Sequence, residues 1–482
     1  MLFVTLTVRE EDEQSTRIHH HHNVQELLQV RSDLDSSRSL SWNTSFSNGL
    51  TEGHVEYYQS SNKSLWEHSP ILPSWMKNYF VWHRQQRQFL RQHQNQWHTL
   101  RYYLVECTER YPNCGGTADR LGPLPFHVQF AAASRRLILY HWTTPAPLES
   151  FLLPPQKGVD WRLPSWLRQH FDNELPFPNM RNRRHRKNKN VTVALDLQDL
   201  VDSLQDDRLL VRAKIQSHDH GATNFDDMVF WKKASFSHQN DWNVTSFLGP
   251  TFQQVFHDLW RVFFTPTPII ASKIHEQMTF LGLYPPGSYI AMHLRVLYGK
   301  RPLTDAEIVS WTRNMIHCTL QYLVPVFHQE ATLTTQRPTI PTLLFVSDSK
   351  QATNEAVKYG EFLRIPLVAR STAMYQNPLH LEKDVRRTVQ SQNGSTGFFN
   401  VDELYDTFID IYTLGLSQCV AYQAGGFGRW GSMMSYNSTC FFFLKPGKPE
   451  ICPRPELDGR AINKGKQTKS VGLPLFFPPY TT

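Results

Sequence analysis

Residues 419–436 read CVAYQAGGFGRWGSMMSY: a short apolar run of strand character, a glycine-rich loop and a stretch that predicts a helix. The same alternation of strand and helix runs through the C-terminal half of the chain. The predicted strands are 289–296, 342–347, 366–369, 419–422 and 440–444, and the predicted helices lie near 305–330, 350–362 and 402–417. Short apolar runs separated by helices favour a parallel sheet with helices on both faces.

A similar block precedes this one. Its predicted strands are 102–107, 137–142, 191–197 and 209–215, and the amphipathic stretch 252–264 predicts the helix that opens the second block. Two such blocks predict an α/β chain of two doubly wound domains that face a cleft. We expect an irregular, stem-like extension over 1–65, an N-terminal domain over 66–250, a C-terminal domain over 251–455 and a tail over 456–482.

The composition of the 482 residues supports folded domains, because 40% are hydrophobic and only 19% are charged. The net charge is +7, from 50 basic and 43 acidic residues. This excess is modest, so we expect no nucleic-acid partner. Part of it lies in the basic run 181–189, for which a solvated loop is favoured over attraction of an anionic substrate or a membrane surface.

Six cysteines occur, none in a CxxC pattern and none at a spacing that suits zinc. An even number is compatible with disulfides. The local candidates are Cys107–Cys114 and Cys440–Cys452, although spacing alone does not fix the connectivity.

N-glycosylation triplets are frequent and point to the secretory pathway. They begin at Asn43, Asn62, Asn190, Asn243, Asn393 and Asn437. With the cysteines they favour the Golgi or the endoplasmic reticulum lumen. The apolar stretch 2–8 is too short for a signal or a membrane span, so we expect membrane attachment only through an N-terminal anchor that this sequence lacks. Residues 19–22, four histidines, are interpreted as low complexity rather than as a metal site.

Glycine-rich turns follow two predicted strands, where ligands bind in open α/β sheets. Residues 114–120 read CGGTADR, in which paired glycines allow close approach of a phosphate or sugar, although a simple tight turn is an equal alternative. The loop 425–429 reads GGFGR and precedes a predicted helix, so a phosphate site at the helix N-terminus is favoured. It lacks the Gly-Lys-Ser/Thr of a Walker loop and the spacing of a dinucleotide fingerprint.

Polar side chains end two further strands. His293 and Arg295 lie two residues apart, and therefore on one strand face, where an arginine can hold a diphosphate. The alternative is an arginine paired with a buried carboxylate. Asp348 follows the strand 342–347 and could accept hydrogen bonds from a ribose or a guanine, or it could cap the following helix.

The order of these motifs over about residues 70–450 resembles the fucosyltransferase superfamily of protein O-fucosyltransferases, α-1,6-fucosyltransferases and their plant and algal relatives. The matching segments are CGGTADR with the following LGPLPFHVQFAAASRRLILYHW, then PLESFLLPP, VDW, IAMHLR, LLFVSDS and CVAYQAGGFGRWGSMMS. The resemblance implies a GT-B-like fold of two Rossmann-like domains, with the nucleotide held by the C-terminal one. It also implies GDP-fucose as the donor substrate, a glycan or protein as the acceptor, and no cofactor.

Site residues follow from the same resemblance. It implies that Arg295 contacts the β-phosphate and that His293 and Asp348 contact the guanine. It implies that the phosphates are cradled by Gly425, Gly426, Phe427 and Gly428, and that the sugar and acceptor are faced by Gly115, Gly116, Asp119 and Arg120.

The chain departs from the family pattern in two places. Ala118 replaces a glycine common at that loop position, and the acidic residue that follows the H-x-R motif in some relatives is missing at that spacing. Asp119 and Asp305 are the candidate general bases. The one Asp-x-Asp triplet, 33–35, lies in the predicted extension, so we expect metal-independent transfer with inversion.

Two other functions remain open. The first is a non-catalytic protein that binds nucleotide sugars or glycans and shares the fold, because of Ala118 and the missing base. The second is a sulfotransferase, which is disfavoured because residues 115–120 contain neither the lysine nor the serine of its phosphate loop.

Overall fold

The structure is a computed structural model. It describes residues 63–108, 114–174, 190–194, 199–200, 203–204, 207–213, 252–296, 303–331, 340–370, 401–423, 425–444 and 452. The tail over 456–482, the histidine run 19–22, the basic run 181–189 and all but three residues of the extension over 1–65 lie outside the described residues. Asn43, Asn62, Asn243 and Asn393, which begin four of the triplets, also lie outside them.

Helices and strands alternate through most of the described chain. The α-helices are α1 (Leu65–His68), α2 (Ser74–Gln92), α3 (Thr117–Leu121), α4 (Leu124–Ala133), α5 (Ser165–Glu174), α6 (Phe252–Phe263), α7 (Pro268–Phe280), α8 (Asp305–Ala331), α9 (Lys350–Leu363), α10 (Tyr405–Gly415) and α11 (Gly426–Met434). The strands are β1 (Tyr102–Cys107), β2 (Leu137–Trp142), β3 (Leu152–Leu153), β4 (Val191–Ala194), β5 (Leu210–Ala213), β6 (Thr265–Pro266), β7 (Tyr289–Leu294), β8 (Thr342–Ser347), β9 (Leu367–Ala369), β10 (Cys419–Tyr422) and β11 (Phe441–Phe443).

The N-terminal sheet is parallel, with the strand order β2-β1-β5-β4. Every residue of β1 is buried, as expected for a strand covered on both faces. Tyr102 and Leu104 join the cluster formed with α5, whereas Tyr103 and Val105 join the cluster formed with α4. The alternation of side chains along β1 therefore supplies two cores, one on each face of the sheet.

The C-terminal sheet is parallel and has the order β11-β10-β7-β8-β9. Ile290 and Met292 of β7 belong to the cluster formed with α8 and α9. Tyr289 and Ala291 belong to the cluster formed with α10 and α11. The predicted α/β class with helices on both sides of parallel sheets is confirmed.

Both sheets change direction at their central strands. From β7 the chain proceeds outward to β8 and β9, and it then returns to the other side of β7 as β10. In the N-terminal sheet β1 lies between β2 and β5 in the same way. In open α/β sheets, ligands bind at the carboxyl ends of the strands beside such a reversal. The fold therefore places the candidate site after β1, β7 and β10.

Helix α6 lies between the two sheets. It contacts α1 and α4 on one side and α11 on the other, and the ring centroids of Trp260 and Trp430 are 4.7 Å apart. The short strands β3 and β6 also pair antiparallel. One continuous buried cluster includes residues of both sheets. The boundary predicted at 250–251 stays a prediction, because residues 214–251 lie outside the described part.

One predicted disulfide is confirmed and one is wrong. Cys107 bonds to Cys114, as expected. Cys440 bonds to Cys419 rather than to Cys452, and Cys452 bonds to Cys318 of α8. The physical reason is strand pairing: Val420 lies opposite Phe441, so the residues that precede them stand side by side. The number of residues between two cysteines does not show which strands are adjacent.

None of the helices in the described ranges is long and apolar enough to cross a bilayer.

Candidate functional site

Arg295 directly follows β7 and reaches the loop after β10. Gly425 has a φ of 110°, a backbone conformation that favours glycine. A Cβ atom at residue 425 would lie 2.8 Å from Nη1 of Arg295 and 2.9 Å from its Cδ. The half-buried guanidinium thus packs against the glycine that caps the N-terminus of α11. The structure brings together the arginine and the glycine loop that the sequence assigns to one phosphate group.

His293 lies on β7 beneath the same loop. It is buried, and the centroid of its ring is 5.2 Å from that of Phe427. A Cβ atom at Gly428 would lie 2.7 Å from Nδ1 of His293, so the glycine allows α11 to begin directly over the imidazole. Burial, assisted by the positive charge of Arg295, lowers the pKa of His293 to about 3. The imidazole is therefore neutral at physiological pH.

Asp348 holds the end of β7 in place. Its Oδ1 accepts a hydrogen bond of 2.6 Å from the backbone N–H of Val296, the residue after Arg295. Ser349, rather than Asp348, caps α9. Its hydroxyl oxygen accepts a hydrogen bond from the N–H of Ala352 in the first turn of that helix. Asp348 thus fixes the backbone next to Arg295, and its contact with a guanine stays a prediction.

The N-terminal glycine loop links β1 to α3. Gly115 has a φ of 73°, and the loop is tied to the end of β1 by the disulfide of Cys114. Asp119, in the first turn of α3, accepts a hydrogen bond of 3.0 Å from the N–H of Gly116 through Oδ2. This bond closes the helix N-terminus and orients the carboxylate. The tight-turn interpretation describes the local geometry correctly, and it does not exclude a ligand.

Arg120 lies beneath this loop and is only 5% exposed. Its Nε donates to the carbonyl oxygen of Gly115 over 2.9 Å, and its Nη1 donates to the carbonyl oxygen of Thr144. Its guanidinium carbon is 4.5 Å from the ring centroid of Trp142. Through these contacts Arg120 supports the loop. Its contact with a sugar stays a prediction.

The two glycine loops meet each other. A Cβ atom at Gly426 would lie 3.0 Å from Cβ of Ala118 and 3.8 Å from Oδ1 of Asp119. Helices α3 and α11 are therefore in contact across the two halves of the molecule. The methyl group of Ala118, which departs from the family pattern, occupies this contact. Residues that face acceptor and donor in the resemblance thus lie side by side.

Asp305 is the first residue of α8, the helix that follows β7. It is exposed in the first turn of α8, next to Thr304 and Glu307, whose side chains and backbone N–H groups close that helix N-terminus. The residues that connect it to Arg295, 297–302, lie outside the described ones. An acidic residue in a first helical turn is stabilised by the helix dipole. Asp119 contacts the glycine loops through Gly116 and Gly426, and the choice between the two candidate bases stays a prediction.

Sequence reasoning missed Arg261 on α6. It is 2% exposed, and its Nη2 donates to the carbonyl oxygen of Met434 over 3.1 Å, at the C-terminal end of α11. Burial lowers the pKa of Arg261 to about 10, against the opposing charge of Asp258. The guanidinium therefore remains charged at neutral pH and holds the helix that follows the C-terminal glycine loop. The amphipathic pattern of 252–264 gave no signal for this role.

Within the described residues, no group of three or more His, Cys, Asp or Glu side chains is arranged to hold a metal ion.

No family model and no curated protein sequence matches this chain. Several solved structures do. FUT1 of Arabidopsis thaliana in complex with GDP is 14% identical with a TM-score of 0.49, and the match covers 85% of this chain and 87% of that one. Fucosyltransferase NodZ from Bradyrhizobium is 11% identical with a TM-score of 0.38, covering 73% of this chain and 97% of that one. POFUT1 in complex with GDP is 12% identical with a TM-score of 0.28, covering 72% and 97%.

These similarities concern the fold alone. The proteins are fucosyltransferases, the family that the sequence motifs resemble.

Proposed function

We propose that this chain is a glycosyltransferase that transfers fucose from GDP-fucose to a hydroxyl group of a glycan or a protein. The observation that carries the proposal is the packing of Arg295 against Gly425 at the N-terminus of α11, where the C-terminal sheet reverses direction. The motif resemblance supplies the identity of the donor.

The leaving group is the first requirement of sugar transfer. Negative charge grows on the β-phosphate as the bond between the sugar carbon and the phosphate oxygen breaks. Arg295 can donate two hydrogen bonds to a phosphate, and the first amides of α11 point out of the helix end. Each preorganised donor of this kind typically contributes on the order of 3 kcal/mol to transition-state stabilisation.

Base recognition is assigned to His293 and Asp348. His293 is neutral, so it adds no charge beside Arg295 and can act as donor or acceptor toward a base. Asp348 fixes the backbone of Val296 and so orients the strand end that carries both His293 and Arg295. We assign Gly428 the role of leaving room for His293, because a side chain at residue 428 would contact the imidazole.

The acceptor side is assigned to the N-terminal loop, with Asp119 as the general base. Its Oδ2 is held by Gly116 and its Oδ1 faces Gly426. In the proposed step the carboxylate takes the proton of the acceptor hydroxyl, the hydroxyl oxygen bonds to the anomeric carbon, and GDP leaves from the opposite face. The configuration at that carbon is therefore inverted, and the step requires no metal.

One feature favours a second candidate, a protein that binds the nucleotide sugar without transferring it. The Ala118 methyl group lies at the contact with Gly426, where the family has a glycine. If it closes the space for the acceptor, GDP-fucose would bind and turnover would be lost.

The compartment is proposed to be the Golgi or the endoplasmic reticulum lumen. All six cysteines are paired in disulfides, which persist in oxidising compartments.

The test is incubation of the full chain with a panel of nucleotide sugars, with and without candidate acceptors. We expect release of GDP from GDP-fucose alone among the donors, at an unchanged rate in excess chelator. Binding of GDP-fucose without GDP release would favour the binding protein. Activity that is lost with chelator and restored by manganese would refute metal-independent transfer, and equal use of other donors would refute the donor assignment.

A further inference from the structure

An open surface depression of about 630 Å³, called the cavity below, lies at the opposite edge of the N-terminal sheet from the glycine loops. It is formed where β1, β4 and β5 begin, whereas the glycine loop of β1 follows the end of that strand. Its volume is within the range of about 300–1,000 Å³ that is typical of ligand sites. Its polar lining includes Arg101, Asn190, Asp207 and Arg208. Nothing in the proposed transfer reaction uses this space.

Asn190 is the exposed residue directly before β4. Its carbonyl oxygen accepts a hydrogen bond of 3.1 Å from the N–H of Leu210, so its backbone is fixed while its side chain borders the cavity. Asn190 begins the triplet Asn190-Val191-Thr192, an acceptor pattern for N-glycosylation. An exposed acceptor side chain and a polar space large enough for sugar rings thus occur together.

We propose that Asn190 carries an N-linked glycan and that the innermost sugars of this glycan lie in the cavity beside Arg101 and Arg208. The two guanidinium groups are half-buried donors, suited to the hydroxyl and acetamide oxygens of a glycan core. The proposal requires passage through the endoplasmic reticulum, and it does not require the transferase activity.

Transfer to Asn190 uses an oligosaccharide linked to a polyisoprenyl diphosphate. A bond forms between C1 of the first sugar and Nδ2 of Asn190, the bond between C1 and the diphosphate oxygen breaks, and Nδ2 loses one proton. In the folded chain Thr192 is only 2% exposed, and its Oγ1 accepts a hydrogen bond of 3.0 Å from Nη1 of Arg208. Because this hydroxyl is part of the recognised triplet, the glycan is added before β4 joins the sheet.

Asn437 provides an internal comparison, since it begins the other described triplet. It is half-buried, and its Oδ1 accepts hydrogen bonds from the N–H and the hydroxyl of Thr439. Three residues later Cys440 forms its disulfide with Cys419. Asn437 thus lies in a compact turn, whereas Asn190 is exposed and borders the cavity.

The occupancy test expresses the full chain through the endoplasmic reticulum of a eukaryotic host. Peptide N-glycosidase in heavy-oxygen water converts each glycosylated asparagine to a labelled aspartate, which peptide mass spectrometry locates. We expect the label at Asn190 and loss of one glycan mass in N190Q, whereas T192S, which keeps the triplet, should retain it. An unlabelled Asn190, whatever the state of Asn437, would overturn the proposal.

The seating of the glycan is tested separately. We expect peptide N-glycosidase to release the Asn190 glycan from native protein at least about tenfold more slowly than from denatured protein. In R101A we expect a smaller ratio between the two release rates. Equal release rates from native and denatured protein would overturn the seating. Binding of a free oligosaccharide at an unmodified Asn190 would instead make the cavity a ligand site and would overturn the glycan assignment.

Discussion

Nη1 of Arg295 lies so close to Gly425 that a Cβ atom at residue 425 would be only 2.8 Å from it. The absence of a side chain at Gly425 therefore determines where the guanidinium can sit. This contact joins the H-x-R strand to the C-terminal glycine loop, although Arg295 and Gly425 are 130 positions apart in sequence, and it yields the first prediction.

We expect Gly425→Ala to raise the KM for GDP-fucose and lower kcat/KM at least about tenfold, because the new methyl group displaces Arg295. Gly282→Ala is the matched control. Gly282 also has a positive φ, 64°, but a Cβ atom there would meet no atom within 4 Å. It carries the cost of an alanine at a left-handed φ, about 1 kcal/mol, and should leave kcat/KM unchanged. Equal loss of activity in both variants would contradict the displacement.

Arg295→Ala should lower kcat about a hundredfold while the folded state is retained, since one preorganised donor contributes on the order of 3 kcal/mol. Arg295→Lys should recover part of this loss, because it keeps the charge and loses the paired geometry. Arg313→Ala serves as the control, because it removes a half-exposed arginine paired with Glu355 on α9. Steady-state kinetics checks the series, and activity of Arg295→Ala near that of the unmodified chain would exclude its role.

The contact between Ala118 and Gly426 predicts coupling between two substitutions. Gly426→Ala should lower activity strongly, because the two methyl carbons would be 3.0 Å apart. Adding Ala118→Gly should restore part of it, with a coupling free energy of about 1 kcal/mol or more. A double-mutant cycle on kcat/KM measures this value. Strictly additive effects would show that the two glycine loops do not meet in the active protein.

Stability should fall as the pH is lowered from about 6.5 toward 4. Burial lowers the pKa of His83 and of His257 to about 4, and that of His293 to about 3. Between these values and 6.5 the unfolded chain binds more protons than the folded chain, so acid favours unfolding. Each such histidine contributes up to about 1.4 kcal/mol per pH unit.

Denaturant unfolding across this pH range measures the slope. The side chain of His83→Gln can still donate to the carbonyl of Ile138, which His83 contacts through Nε2 over 3.0 Å, but it does not titrate. We therefore expect a smaller slope in this variant. The difference in the free energy of unfolding between the two proteins at pH 8 measures the packing cost of the substitution. An unchanged slope of stability against pH would contradict the lowered pKa of His83.

Much of the fold was predictable because buried parallel strands appear in sequence as short apolar runs. The strands 102–107, 137–142 and 342–347 were predicted to the residue. The glycine loops were predictable for a related reason, since a chain that leaves such a strand toward a helix needs flexible backbone.

The partners of single side chains were not predictable. Cys440 pairs with Cys419 because two strands are adjacent, and Asp348 bonds to Val296 because β7 and β8 are neighbours. The support that Arg261 gives to α11 likewise depends on a helix 173 positions away. Such contacts follow from the tertiary arrangement, which local patterns do not encode.

The buried cluster that joins both sheets restricts how substrates can enter. A hinge motion that opened the cleft would expose Trp260 and Trp430, and each buried large apolar side chain stabilises the closed form by roughly 1.5–3 kcal/mol. Rigid-body opening is therefore costly. For the proposed transferase we therefore expect a turnover rate that is insensitive to solvent viscosity, because the reaction cycle would proceed without rigid-body opening of the two sheets.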